Sequence, residues 1–310
     1  MTIPSIVLAA LAAAFVAGAG HAQTQTQASP PSAAETETGS GPYPAVYEED
    51  PTLPGHVVYH PKALDASGPA KLPVYVFGNG GCSADGTGSR NHLLEIASHG
   101  YLVVAPGIIP ARHPDAAAPP PGPGLTIATE ASALKEAIDW AIRENGRPQS
   151  PYFGKVDTQA VAVSGWSCGG LQAIMVAPDP RVKTLVVMNS GIFNGDRNII
   201  PGMEVHKAML ADIHVPTLYV MGGPTDIAYA NGVDDFSRLD TVPAALVNIP
   251  VGHGGTYMQP HGGVAAEVVV DWLDWMLKGN RGAARAFAGP TCGFCHDARL
   301  TLETKNLPSD

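Results

Sequence analysis

The sequence predicts an α/β fold, a mostly parallel central sheet with helices on both faces, and three observations predict it. Short apolar runs of strand length recur along the chain, among them Leu72 to Phe77, Tyr101 to Ala105, Lys183 to Met188 and Thr217 to Met221. Amphipathic helical patterns lie between several of them. One stretch, Ala160 to Ala173 (AVAVSGWSCGGLQA), passes from strand to helix through a turn of small residues. Near-continuous apolar strands are those buried on both faces, which is the condition of a parallel sheet between helix layers.

Composition bounds the functions. The 310 residues are 45% apolar and 15% charged, enough to bury one α/β core, with no internal repeat and no second domain. With 18 Lys and Arg against 28 Asp and Glu, the net charge of −10 argues against a nucleic-acid partner. A small neutral or apolar substrate suits this balance better.

The chain opens on an apolar run, Ile3 to Gly18, followed by the small residues Ala19, Gly20 and Ala22. This reads as a secretory signal peptide over residues 1–22, although Met1-Thr2 carries no positive charge. A membrane anchor is the alternative, and the run is short of the roughly 20 residues that a spanning helix needs. Export to the periplasm or the exterior, free of the membrane after cleavage, is therefore expected. Residues 23–42 are rich in Gln, Thr, Ser, Pro and Ala and predict a disordered leader. The folded domain is expected over 43–310, ending in a cysteine-containing tail from about residue 281.

Val57-Val58-Tyr59 is the first expected strand, ahead of a turn region from Pro61 to Pro69. The strand Leu72 to Phe77 runs into Gly78-Asn79-Gly80-Gly81-Cys82, where missing side chains let backbone approach a ligand. A hairpin turn is the bland alternative, but a helical pattern, His92 to Ser98, follows instead of a second strand. After Tyr101 to Ala105 comes Pro106 to Gly124, a Pro- and Gly-rich loop that either borders a cleft or is an inert excursion. Ile127, Ala131, Leu134, Ile138, Ala141 and Ile142 then share one helical face, with Lys135, Asp139 and Arg143 on the other, until Asn145-Gly146 stops the helix. Beyond the elbow, Ala244 to Ile249 is the last expected strand. The closing helix, Gly262 to Lys278, carries Val264, Val268, Trp272 and Met276.

The central stretch contains G-x-S-x-G as Gly165-Trp166-Ser167-Cys168-Gly169. A serine at the apex of a strained strand-to-helix turn has its Oγ clear of the sheet edge, and the glycines remove side chains that would collide there. The same turn aims the Cys168 N–H at the position where a carbonyl oxygen becomes negative, and Asn79 is the expected source of a second N–H. A serine nucleophile needs a histidine base, and that histidine needs a carboxylate to hold its tautomer. In chain order after the elbow, Asp226 follows the strand ending at Met221, and His253 follows the strand ending at Ile249. Asp234 and Asp235 are rival acids inside the next helical pattern, and His261 is the rival base. Any one of these residues taken singly reads as a solvated surface group; their order at strand ends makes the case.

From about Tyr59 to Lys278 the chain resembles the α/β-hydrolase superfamily. Gly-Trp-Ser-Cys-Gly-Gly at Gly165 to Gly170, the run from Ala97 to Val104 and the run from Asp179 to Lys183 are similar to its dienelactone-hydrolase and cutinase or polyesterase-like branch. The resemblance implies an extracellular carboxylic-ester hydrolase with a shallow cleft, no metal and no cofactor. It implies that Ser167 carries the acyl group, His253 acts as base and then acid, and Asp226 orients it. The N–H groups of Asn79 and Cys168 would form the oxyanion hole, and Trp166 would line the acyl or alcohol pocket or simply pack. Dienelactone hydrolases use cysteine where Ser167 stands, so lactone specificity does not carry over. Asn79 stands where polyesterases tend to carry an aromatic clamp. A catalytically silent binding scaffold on the same fold, or a thioesterase, amidase or acyltransferase with the same triad, are the competing readings.

That arrangement brings Cys82 and Cys168 to one corner, so in an exported protein a Cys82–Cys168 disulfide is expected over two buried thiols. Cys292-Gly293-Phe294-Cys295-His296 fits a local Cys292–Cys295 disulfide, a c-type haem attachment or a redox dithiol. Only fourteen residues follow His296, with no Met among them, which favours the disulfide.

Overall fold

The computed structural model describes residues 38–116, 125–195 and 200–308. The expected signal peptide, and the leader up to residue 37, lie outside them. Among the described residues no helix is long and apolar enough to cross a membrane.

The strands are β1 (Ala45–Glu48), β2 (His56–Pro61), β3 (Leu72–Gly78), β4 (Leu102–Pro106), β5 (Val156–Trp166), β6 (Val182–Met188), β7 (Thr217–Met221), β8 (Ala244–Asn248) and β9 (Thr301–Lys305). They form one sheet in the order β1-β2-β4-β3-β5-β6-β7-β8-β9. Strands β4, β3, β5, β6, β7 and β8 run parallel, and the antiparallel pairings lie toward the edges, β1 with β2, β2 with β4, and β8 with β9. The helices are α1 (Arg90–Ser98), α2 (Ala131–Gly146), α3 (Cys168–Val176), α4 (Tyr229–Arg238), α5 (Gly263–Lys278) and α6 (Arg281–Phe287).

Strand parity sorts the core into two layers. Val74 and Val76 of β3, with Val161 and Val163 of β5, pack against Leu134 and Ile138 of α2 and Ile174 of α3. Tyr75 and Phe77, with Ala162 of β5, face Leu93 and Ile96 of α1 and Val268, Trp272 and Leu273 of α5. Both sheet faces are thus dry, as the apolar runs predict.

The chain places β4 on one side of β3 and then returns to place β5 on the other. The crevice outside the carboxyl ends of strands at such a switch is where open α/β sheets bind ligands. Asn79, Ser167, Asn189, Asp226 and His253 all follow the carboxyl ends of adjacent parallel strands, β3, β5, β6, β7 and β8.

Three expectations change. Residues 38–42, expected to be disordered, dock on α1: the Ser40 N–H donates to Glu95 Oε2 at 2.7 Å, and the Gly41 N–H to Ser98 Oγ at 2.9 Å. Ile127 precedes α2, which starts at Ala131. Ala244 to Ile249 is not the last strand: Asn280 caps α6, Phe287 packs edge-on against Trp272 with ring centroids 5.3 Å apart, and β9 extends the sheet beyond β8. Burying an aromatic the size of Phe287 contributes roughly 2–3 kcal/mol, which pins the tail to the core.

Candidate active site

Ser167 sits between β5 and α3 with φ 54° and ψ −120°, a conformation that non-glycine residues rarely adopt and that costs about 1–3 kcal/mol. Its surroundings hold it there: its N–H donates to Met188 O at 2.9 Å, and Ser190 Oγ donates to its carbonyl at 2.6 Å. The glycines of the motif are sterically obligatory. A Cβ on Gly165 would lie 2.2 Å from Gly169 O, and one on Gly169 would lie 2.0 Å from Gly78 O.

Ser167 Oγ is 2.9 Å from His253 Nε2, and His253 Nδ1 is 2.7 Å from Asp226 Oδ1. The Asp226 side chain is fully buried, whereas His253 is 26% exposed. Burial alone would push the Asp226 pKa up. Hydrogen bonds from His253, the Ala228 N–H, Asn189 Nδ2 and the Gly222 N–H outweigh it and hold the carboxyl below its usual range. An ionised Asp226 accepts the Nδ1 proton, so Nε2 is free to accept from the serine hydroxyl. The geometry therefore suits proton removal from Ser167.

The rivals have other partners. Asp234 pairs with Arg238 and Lys207. Asp235 is buried, accepts from the Ile192 N–H and Lys207, and is pushed up to about 6 by burial. His261 lies 3.5 Å from Glu95 in a separate cleft.

Cys168 opens α3, where the first-turn N–H groups have no intrahelical acceptor. Asn79 is buried, and its side chain is committed to the loop, donating to Ser83 O at 2.9 Å and Pro106 O at 2.6 Å. Its backbone nitrogen abuts the elbow: a Cβ on Gly169 would lie 2.7 Å from it. The Cys82–Cys168 disulfide, with Cα atoms 5.3 Å apart, ties this loop to the residue after Ser167. Cys292 and Cys295 form the second disulfide, and no described cysteine is free.

A cleft of about 380 Å³ opens over Ser167 and His253, walled by Leu125, Leu171, Phe193 and Ile227. Among the described residues no Asp, Glu, Lys or Arg lines it. Trp166, expected to line this pocket or to pack, packs. Its indole lies over Gly80, packs at a tilt against the Tyr257 ring with centroids 5.3 Å apart and donates to the His253 carbonyl at 2.9 Å. The parity of β5 explains this, since Trp166 shares the face of Ala162 while the cleft wall Leu171 belongs to the opposite core layer.

Asn189, a residue that sequence reasoning missed, donates to Asp226 Oδ2 at 2.8 Å. Its signal was its place directly after β6, between the strand ends that carry Ser167 and Asp226. Among the described residues no group of three or more His, Cys, Asp or Glu is arranged to hold a metal. No known family model matches the chain, and no curated protein matches it either.

Proposed function

We propose that this protein is a secreted serine hydrolase of the α/β-hydrolase fold that cleaves carboxylic esters through an acyl-enzyme. The observation that carries the reading is the continuous hydrogen-bonded line from Ser167 Oγ through His253 to Asp226 at a cleft with apolar walls. His253 takes the Ser167 proton as Oγ bonds to the ester carbonyl carbon, and Asp226 stabilises the imidazolium. The Cys168 and Asn79 N–H groups stabilise the oxyanion. As the carbon–oxygen bond to the alcohol breaks, His253 returns the proton to the leaving oxygen. Water, deprotonated by the same histidine, then releases the acid and restores Ser167. The apolar walls Leu125, Leu171, Phe193 and Ile227 favour an apolar acyl chain of short to medium length. The two disulfides and the amino-terminal apolar run support export.

The test is hydrolysis of p-nitrophenyl acetate, butyrate and octanoate by wild type and Ser167→Ala. The expected result is turnover that falls by roughly 10⁴-fold or more in the variant. Wild-type rates no higher than those of Ser167→Ala on all three esters would sink the proposal.

A further inference from the structure

Asn189 touches both ends of the histidine's support. Its Nδ2 donates to Asp226 Oδ2 at 2.8 Å and to the carbonyl of Gly252, immediately before His253, at 3.2 Å. Its Oδ1 accepts from the Tyr257 hydroxyl. These partners admit one amide orientation, because a flipped Asn189 would set its oxygen against a carboxylate and a carbonyl. Tyr257 fixes the choice by donating on the far side. Burial, then the nearby Asp226 and Tyr75, hold the Tyr257 phenol well above its usual pKa, so it remains a donor.

The backbone is shaped around this contact. Asn189 adopts φ 42°, in the left-handed region that asparagine tolerates better than most residues, and its N–H donates to Val220 O at 2.7 Å. Gly255 has φ 58°, and a Cβ there would lie 2.4 Å from the Tyr257 ring and 3.0 Å from Asn189 Oδ1. Trp166 grips the next carbonyl, that of His253, and packs against Tyr257. Two successive carbonyls of the histidine loop are thus anchored by side chains that meet at Tyr257.

We propose that Asn189, held in one orientation by Tyr257, is a positioning residue that keeps the Asp226 carboxylate and the His253 loop in register. This rests on the Ser167, His253 and Asp226 assignment made above. Among the described residues the titratable groups facing Asp226 are His253 and Tyr257; its other partners are Asn189 and the N–H groups of Gly222 and Ala228.

Tyr257→Phe is the decisive variant, since it keeps the ring packed against Trp166, removes only the hydroxyl and does not touch the cleft lining. Asn189→Gly is the second, because glycine accepts the positive φ. The expected result for Tyr257→Phe is a kcat lower by roughly tenfold or more, with KM changed less than about twofold. In Asn189→Gly the acid limb of the kcat/KM profile should move to higher pH, because there the Asp226 carboxylate loses the Nδ2 donor and pairs more strongly with the imidazolium. A readout independent of substrate is the deshielded proton resonance of the His253 Nδ1–H shared with Asp226, which should move or broaden in both variants. Folded variants that retain that resonance and the wild-type kcat overturn the proposal. If the resonance changes in the variants while the wild type cleaves no ester, the ester-hydrolase reading fails and the positioning role stands.

Discussion

Two of the clefts among the described residues make a contrast, and the larger of the two is not the candidate active site. The larger, about 550 Å³, is lined by Glu95, His99, His261, Glu267, Asp271 and Arg299. Its groups engage one another or the chain ends: His99 and His261 face Glu95, Ser40 bonds Glu95, and Arg299 pairs with Glu267 and Asp297. The smaller, about 380 Å³, is lined among the described residues by no Asp, Glu, Lys or Arg, and Ser167 and His253 meet in it. Volume and charge density therefore do not locate chemistry here. What marks the candidate site is the convergence of a strained serine, an aligned histidine and a carboxylate held below its usual pKa at adjacent strand ends.

The strongest way to break that contrast is to remove the carboxylate behind His253 of the smaller cleft and one carboxylate of the larger. Asp226→Asn offers His253 Nδ1 an amide, whose N–H group would enforce the wrong tautomer, and kcat should fall by roughly 10⁴-fold with the fold intact. Glu95→Gln should change kcat less than about twofold, because Glu95 meets His99, His261 and Ser40 and not the nucleophile. Steady-state kinetics on p-nitrophenyl butyrate decides, and equal losses in the two variants would erase the distinction.

The clefts also differ in covalent bracing. Cys168 lines the smaller, and its bond to Cys82 spans 86 residues, whereas no cysteine lines the larger. In the chain-entropy account, closing a loop of that length stabilises the fold by about 4–5 kcal/mol, against about 1–2 kcal/mol for the three-residue separation of Cys292 and Cys295. Urea unfolding of Cys82→Ser/Cys168→Ser and of Cys292→Ser/Cys295→Ser should reproduce that order. Ester turnover should fall only in the first pair, since only that bond adjoins Ser167. A tail pair as damaging as the elbow pair would show that the strap from α6 to β9 depends on its disulfide and not on Phe287 packing.

The sequence made the smaller cleft readable because its constraints are local. Gly165 and Gly169 are dictated by backbone contacts below 2.5 Å, and Asp226 and His253 directly follow apolar strands. Asn189 was readable only as the residue directly after β6; its role depends on Tyr257 arriving from 68 residues away. β9 was hidden for another reason. Thr301–Lys305 exposes or half-exposes every residue, so it carries no apolar alternation and is a strand because β8 offers it an edge. Trp166 was readable in principle: counting by two from Ala162 through Ser164 puts it on the face away from the cleft.

The smallest expected effect concerns ionisation, and here Asp226 and Asp271 shift in opposite directions. Asp226 is held below its usual range, so its support of the fold is complete above the unfolded carboxylate pKa and is lost as pH falls through its folded value. Asp271 is pushed up to about 6 by burial and by the neighbouring Asp274 and Glu267. Between the unfolded value near 3.9 and that folded value, the unfolded chain releases the proton while the native state keeps it. Stability therefore falls as pH rises through this window, and the cost is largest above pH 6. Asp271→Asn removes the charge without changing the shape. It should stabilise the protein by about 1 kcal/mol at pH 7.5, a figure reduced for partial exposure, and by a much smaller amount near pH 4.5. Urea midpoints at the two pH values measure it. A gain of the same size at both would trace it to packing, whereas a gain confined to the higher pH places an uncompensated carboxylate in the larger cleft.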